Sequence, residues 1–141
     1  MDIRPLTERY AVSPQITPQD MPALREAGYA AVICNRPDEE VPPELGSAAM
    51  REAAEAAGLG FVNIPVVHGA LGPDIVDAQR RAIAEADGPV MAYCASGTRS
   101  TIVWMLGAAP ETAPDALLQT AHSQGYALEM LRPQLEALHR D

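Results

Sequence analysis

One stretch of the chain holds residue types in an order that packing alone does not ask for: Pro89-Val90-Met91-Ala92-Tyr93-Cys94-Ala95-Ser96-Gly97-Thr98-Arg99-Ser100. A short apolar run of this kind reads as a buried strand, and the residues after it read as a helix, Ser100–Ala109. The junction puts the Cys94 thiol beneath a helix N-terminus, where unpaired backbone N–H groups and the positive end of the dipole collect. Ala95, Ser96, Gly97 and Thr98 then wrap their amides around that point as an anion cradle. Gly97 supplies torsions that a side chain forbids. Arg99 can fork onto an oxyanion through two donors. The same electropositive setting favours a thiolate at Cys94 over a thiol. Ser100 is placed to donate to that thiolate or to cap the helix. The chemistry implied is nucleophilic attack by a cysteine on a group whose oxyanion sits in the loop.

Other residues are candidates of lower specificity. Arg36, in Asn35-Arg36-Pro37-Asp38, sits at the end of an apolar run. It reads either as a second positive contact to a substrate anion or as an ion-pair partner of Asp38, Glu39 or Glu40. The Asp38-Glu39-Glu40 run itself reads as a solvated loop. His68 is a candidate acid or substrate contact, weighed against a solvated surface histidine. Cys34 reads as a small buried hydrophobe, and Trp104 and Met105 read as core. His122 and His139 have no partners at ligand spacing, so neither a metal site nor a cofactor is expected.

The elements that must position these residues follow from proline and glycine punctuation. Arg9–Val12 reads as a first short strand. Thr17 caps a helix that has Pro18 at its first position and runs to about Ala27, before Gly28. Ala30–Cys34 is a buried strand and Asn35–Pro43 a loop. Ser47 caps a second helix through Ala57. Gly60–Pro65 is the next strand, and the loop His68–Pro73 leads to a third helix, Asp74–Ala86, capped by Asp74. Pro89–Tyr93 is the strand that delivers Cys94. Asp115–Ser123 and Leu128–His139 are further helices, with Pro133 starting or splitting the last. This alternation predicts an α/β fold with a mainly parallel central sheet flanked by helices. Ligands of such sheets sit beyond the carboxyl ends of the strands. The loops Asn35–Asp38, Val66–Gly72 and Cys94–Arg99 leave from there.

Cys94-Ala95-Ser96-Gly97-Thr98-Arg99-Ser100 resembles the signature loop of cysteine-dependent phosphatases and rhodaneses. The order Ile16-Thr17-Pro18, Val32-Ile33-Cys34-Asn35-Arg36-Pro37-Asp38, Val62-Asn63-Ile64-Pro65-Val66 and then that loop resembles the phosphatase-like domain family of beta-lactamase hydrolase-like proteins, over about residues 9–109. The resemblance implies a dual-specificity-phosphatase-like fold, and some family members are named sulfur transferases. Two departures from the phosphatases stand out. Their loops hold one residue more between cysteine and arginine than the four here, Ala95 to Thr98, whereas rhodanese loops are of the shorter kind. The aspartic acid that protonates their leaving group also has no counterpart, because Val67-His68-Gly69 occupies its place. Tyr93 further replaces the histidine that commonly precedes the cysteine. A thiol acceptor needs no proton, so both main departures favour sulfur transfer.

The expected activity is therefore a sulfurtransferase that carries sulfane sulfur on Cys94 as a persulfide, taken from thiosulfate or a small persulfide. A phosphatase acting on a phosphate ester through a phosphocysteine is the alternative, and a non-catalytic anion-binding module the third reading. The resemblance also implies a sulfide- or persulfide-oxidising partner enzyme. The 141 residues suffice for one domain with its own core. The formal charge of −9 disfavours nucleic acid as a partner. No run of apolar residues is long enough for a membrane span and no signal peptide opens the chain, so a cytoplasmic location with reduced cysteines is expected.

Overall fold

The computed structural model describes residues 1–140. Its strands are β1 (Arg4–Pro5), β2 (Tyr10–Ser13), β3 (Ala31–Cys34), β4 (Gly60–Asn63) and β5 (Val90–Tyr93). They form one sheet in the order β1-β2-β5-β3-β4. The four longer strands run parallel, and only β1 is antiparallel, at the edge beside β2. The helices are α1 (Met21–Glu26), α2 (Ser47–Ala56), α3 (Pro73–Glu85), α4 (Thr98–Ala108), α5 (Pro114–Ser123) and α6 (Arg132–Leu138). None is long and apolar enough to cross a membrane among the described residues.

Strand side chains alternate between two cores. Tyr10, Val12, Ile33, Val90 and Ala92 share a cluster with Met105 of α4, Leu117 of α5 and Leu135 of α6, and α3 adds Ile75, Ala78 and Ile83. Ala11, Val32, Cys34, Met91 and Tyr93 point the other way, onto Met21 and Leu24 of α1 and Met50 and Ala54 of α2. The strands β2, β3 and β5 are buried throughout. That explains why they read as short unbroken apolar runs. The fold is the expected α/β arrangement. The Cys34 thiol is free and lies in the core, where burial pushes it above its ordinary range. Met105 is fully buried, and Trp104 stacks on Tyr10 with ring centroids 6.1 Å apart.

Several element ends differ from the expectation, each for a local reason. β1 was not foreseen, because two residues carry no periodicity. β2 starts at Tyr10 rather than Arg9, although the Arg9 carbonyl already accepts from Val90 N at 2.8 Å. β4 ends at Asn63, while Ile64 N and Val66 N still donate to Cys34 O and Asn35 O. Thr17 opens a 3-10 turn, Pro18–Asp20, instead of α1. Pro22 has no N–H to return to Pro18, so the α ladder cannot begin there. Ser47 is the first residue of α2, not its cap. Asp38, from the preceding loop, takes Ser47 N at 2.8 Å and Ser47 Oγ at 2.9 Å. Gly72, not Asp74, is the cap residue of α3. Leu128 lies before a separate 3-10 turn, Glu129–Leu131, and α6 starts at Arg132 with Pro133 in its first turn.

Four buried polar side chains tie the sheet to the helices behind the strand ends. Asn35 Nδ2 donates to Ile64 O at 2.9 Å and to Gln79 Oε1 at 2.8 Å. Asn35 Oδ1 accepts from Ser100 Oγ at 2.8 Å and from Gln79 Nε2 at 3.1 Å. Tyr10 OH donates to Ser100 O at 2.7 Å and accepts from Gln79 Nε2 at 3.0 Å. Burial raises the Tyr10 hydroxyl far above its ordinary range, so it stays a neutral donor. Loss of one member orphans several buried partners at once. Asn35→Ala is expected to lower unfolding stability by about 3 kcal/mol in urea titration, since Ser100, Gln79 and Ile64 each lose a partner. A loss below about 1 kcal/mol, the net worth of one ordinary hydrogen bond, would mean that the network carries no such weight.

Candidate active site

β5 is the middle strand of the sheet, flanked by β2 and β3. Its carboxyl end is therefore overhung by the loops that leave both neighbours. Cys94 lies in that recess, fully buried, and its Sγ accepts the Gly97 backbone N–H at 3.1 Å. Gly97 is the N-cap of α4 with φ of +95°, so the helix starts at Thr98, two residues before the expected Ser100. A single left-handed residue turns the chain tightly enough to aim its amide back at the sulfur. Ser96 Oγ hydrogen-bonds Thr98 Oγ1 at 2.9 Å and accepts from Thr98 N at 3.3 Å. Thr101 Oγ1 donates to Gly97 O at 2.8 Å. Ala95 and Ser96 are exposed at the mouth, while Gly97 is buried.

Two contacts brace this loop from outside. Gln15, just past β2, donates its backbone N–H to Ala95 O at 3.1 Å. Tyr126, after α5, donates its hydroxyl to Ser96 O at 3.0 Å, with Arg4 above its ring at 5.1 Å from the centroid. A Cβ built on Gly97 would overlap the Tyr126 hydroxyl. Gly97 is thus required twice, by its torsion and by the tyrosine against it. Tyr126 lies in the C-terminal stretch, where no sequence pattern pointed to the site.

Arg99 is 5% exposed, and its charge is met by a partner from another loop. Arg99 Nη1 donates to Glu40 Oε2 and Nη2 to Glu40 Oε1, both at 2.8 Å. Nη1 also donates to Val66 O at 2.9 Å. These bonds use the end of the guanidinium, and the group also interacts with the Cys94 sulfur. A guanidinium so placed can fork onto an anion bound beside Cys94. The Glu40 carboxyl is held down to about 2, first by the hydrogen bonds from Arg99 and then by Arg36. Arg36 Nε donates to the same Glu40 Oε1 at 3.3 Å, and Arg36 Nη1 to Gln15 Oε1 at 3.2 Å.

Cys94, Ala95, Ser96, Gly97, Thr98 and Arg99 therefore come together as expected, and Arg36 stands beside them through Glu40 and Gln15. Three expectations change. Ser100 donates to Asn35 rather than to Cys94, because the first turn of α4 points its hydroxyl into the buried network. Asp38 and Glu40 are not simply solvated. Asp38 caps α2, and Glu40 neutralises Arg99. His68 is exposed, on a turn closed by Ala70 N donating to Val67 O, and it makes none of the hydrogen bonds that build the loop. Glu40 was legible only as one of three possible partners for Arg36. Nothing in its local sequence marks it as the partner of Arg99.

Glu40 positions Arg99 rather than touching the reacting atoms. Its stabilising effect is full above its ordinary value of 4.5 and is lost as pH falls through about 2. Glu40→Gln is expected to lower the melting temperature at pH 7, with the gap to the parent narrowing below pH 4.5. A gap independent of pH would exclude the ion pair as its cause. Gly97→Ala is expected to cost about 2 kcal/mol by urea titration, from the left-handed torsion and the overlap with Tyr126. An unchanged midpoint would remove the argument for Gly97.

Known proteins share this fold. Residues 2–126 match the family model for the beta-lactamase hydrolase-like protein, phosphatase-like domain. A beta-lactamase hydrolase-like protein of Agrobacterium fabrum is 39% identical over 108 residues, which are 74% of this chain and 24% of that protein. The chain thus spans about a quarter of the length of that relative. A candidate phosphatase of Neisseria meningitidis superposes with a TM-score of 0.86 at 34% identity, covering 98% of this chain and 99% of that one. A candidate phosphatase of Shewanella putrefaciens has the same fold, with a TM-score of 0.72 at 19% identity, covering 96% and 91%. The chain belongs to the phosphatase-like domain family of beta-lactamase hydrolase-like proteins.

Proposed function

We propose that the chain is a cysteine-dependent phosphatase in which Cys94 takes a phosphoryl group from its substrate and passes it to water. The observation that carries this reading is the joint geometry of Cys94, Gly97 and Arg99. A sulfur under a helix N-terminus, with an inward amide and a pinned guanidinium beside it, suits stabilisation of the equatorial oxygens of a phosphoryl group in flight. The Neisseria relative, described as a candidate phosphatase, supports the same reading. In the first step the S–P bond forms and the ester P–O bond breaks, the electron pair leaving on the ester oxygen. In the second, water attacks phosphorus, the Cys94 thiolate leaves, and the product departs as dihydrogen phosphate holding both protons of the water.

Release of phosphate from 4-nitrophenyl phosphate tests this. Cys94→Ser is expected to abolish turnover, and Arg99→Lys to lower kcat/KM by about 10²–10³-fold, since a point charge cannot reproduce the fork. Rapid quenching followed by intact-mass measurement should find one phosphoryl group on Cys94. Absence of both turnover and adduct would refute the reading.

Sulfur transfer through a Cys94 persulfide is the second reading. The four-residue span between Cys94 and Arg99 favours it, while the relatives favour phosphoryl transfer. One added sulfur after thiosulfate or glutathione persulfide treatment, lost in Cys94→Ser, would support it.

A further inference from the structure

No carboxylic acid of this site is placed to protonate a leaving group. Phosphatases that cleave alkyl or aryl esters protonate the departing oxygen, because an alkoxide is a poor leaving group. Among the described residues Glu40 is the only carboxylate that hydrogen-bonds any residue of the 94–99 loop. It is ionised across the neutral range and spent on Arg99. Asp38 is committed to α2, and the segment from Ile64 to Pro73 contains neither Asp nor Glu. Its one titratable residue, His68, is exposed and makes none of the hydrogen bonds that build the loop, so the loop lacks a carboxylic acid to help expel a basic oxygen.

The same recess holds a second cation. Arg36 is half-buried, with a side-chain exposure of 22%, yet it has only a share in one carboxylate. Arg36 Nε and Arg99 Nη2 both point at Glu40 Oε1, at 3.3 and 2.8 Å. Two guanidiniums thus converge on the Glu40 carboxylate, and Arg99 also meets the Cys94 sulfur. Arg36 Nη2 makes no hydrogen bond among the described residues. Its neighbour Nη1 reaches Gln15, whose backbone holds the Ala95 end of the cradle. In a chain of formal charge −9 this is a local concentration of positive charge beside the 94–99 loop, of the kind that attracts an anionic group.

We propose that the substrate is a small phosphoric anhydride, with its terminal phosphoryl group in the Cys94–Arg99 loop and its inner phosphate on Arg36. The proposal rests on the phosphoryl-transfer reading above and names the substrate class of that site. The inner phosphate leaves as a monoester dianion whose conjugate acid has a pKa of about 6, against about 15.7 for water as a guide to an alkanol. It needs no proton. Cys94 thiolate attacks the terminal phosphorus, the S–P bond forms, and the bridging P–O bond breaks with its electron pair on the leaving phosphate. Arg36 holds that charge as it develops. Water then releases the phosphocysteine as in the ester reaction. The shared acidity of Asp38, Glu39 and the overall surface restricts the anhydride to a small one with few charges.

Methyl diphosphate and methyl phosphate share the alkyl group and differ in what departs, so their comparison isolates the leaving group. The parent protein is expected to convert methyl diphosphate to methyl phosphate and phosphate, and to leave methyl phosphate at least about 10²-fold slower, the factor a general acid would otherwise supply. Arg36→Gln is expected to lower the ratio of kcat/KM for methyl diphosphate to that for 4-nitrophenyl phosphate by roughly tenfold, with Arg36→Lys between the two. Because Arg36 also touches Glu40, the aryl ester serves as the control for damage to Arg99. Turnover of 4-nitrophenyl phosphate without turnover of methyl diphosphate would overturn the anhydride proposal and leave the phosphatase reading standing. So would equal rates on methyl phosphate and methyl diphosphate, or an unchanged ratio in Arg36→Gln. Failure on every phosphate, with no phosphocysteine, would overturn both.

Discussion

A permanently charged guanidinium has to be buried at the centre of this molecule, and the surrounding structure answers to that need. Removing an ion from water costs several kcal/mol unless partners replace the lost hydration. Arg99 receives two carboxylate oxygens from Glu40 and the carbonyl of Val66. Each partner comes from a different strand-end loop, so the loops after β3 and β4 must both close over the end of β5. Asp38 serves the same end at one remove. By capping α2 it anchors the turn that carries Glu40.

The pairing is end-on, and that detail separates a structural arginine from a working one. Engagement of the tip by Glu40 and Val66 fixes the plane of the group beside the Cys94 sulfur. Rotamer freedom that a long arginine would otherwise surrender on binding is already gone, so an incoming anion meets a preorganised donor set. The loop itself is held by the same logic. Tyr126 and Gln15 hold the Ser96 and Ala95 carbonyls, and the Gly97 amide points at the Cys94 sulfur.

Cysteine chemistry of this kind serves both phosphoryl and sulfur transfer, and the two differ mainly in what must be protonated. A short loop without an acid was first a reason to favour sulfur. The relatives are named phosphatase-like instead, and the proposed anhydride substrate would remove the conflict, because a phosphate departs without a proton. The negative surface then acts at long range, screened over about 10 Å, while the paired arginines act at contact distance.

The sequence by itself determined the alternation of buried apolar runs with helices, and hence a mainly parallel sheet with Cys94 at a strand end. It also determined the anion loop, since Cys94, Gly97 and Arg99 lie within six consecutive residues and their spacing is a local property. Helix starts were misplaced even where the capping residue is local, as at Gly72 and Gly97. At Ser47 and Arg99 the partner arrives from a distant loop, and no periodicity reports such a meeting. Only the tertiary structure decided that Glu40, one of three adjacent acids, is the residue that meets Arg99. It also decided that Ser100 turns away from Cys94 into a network with Asn35, Gln79 and Tyr10, and that Tyr126 closes the loop from the C-terminal side. Burial makes these choices. A charge or hydroxyl withdrawn from water takes whichever partner the packed strands and helices bring within reach, and that partner is set by topology rather than by neighbours along the chain.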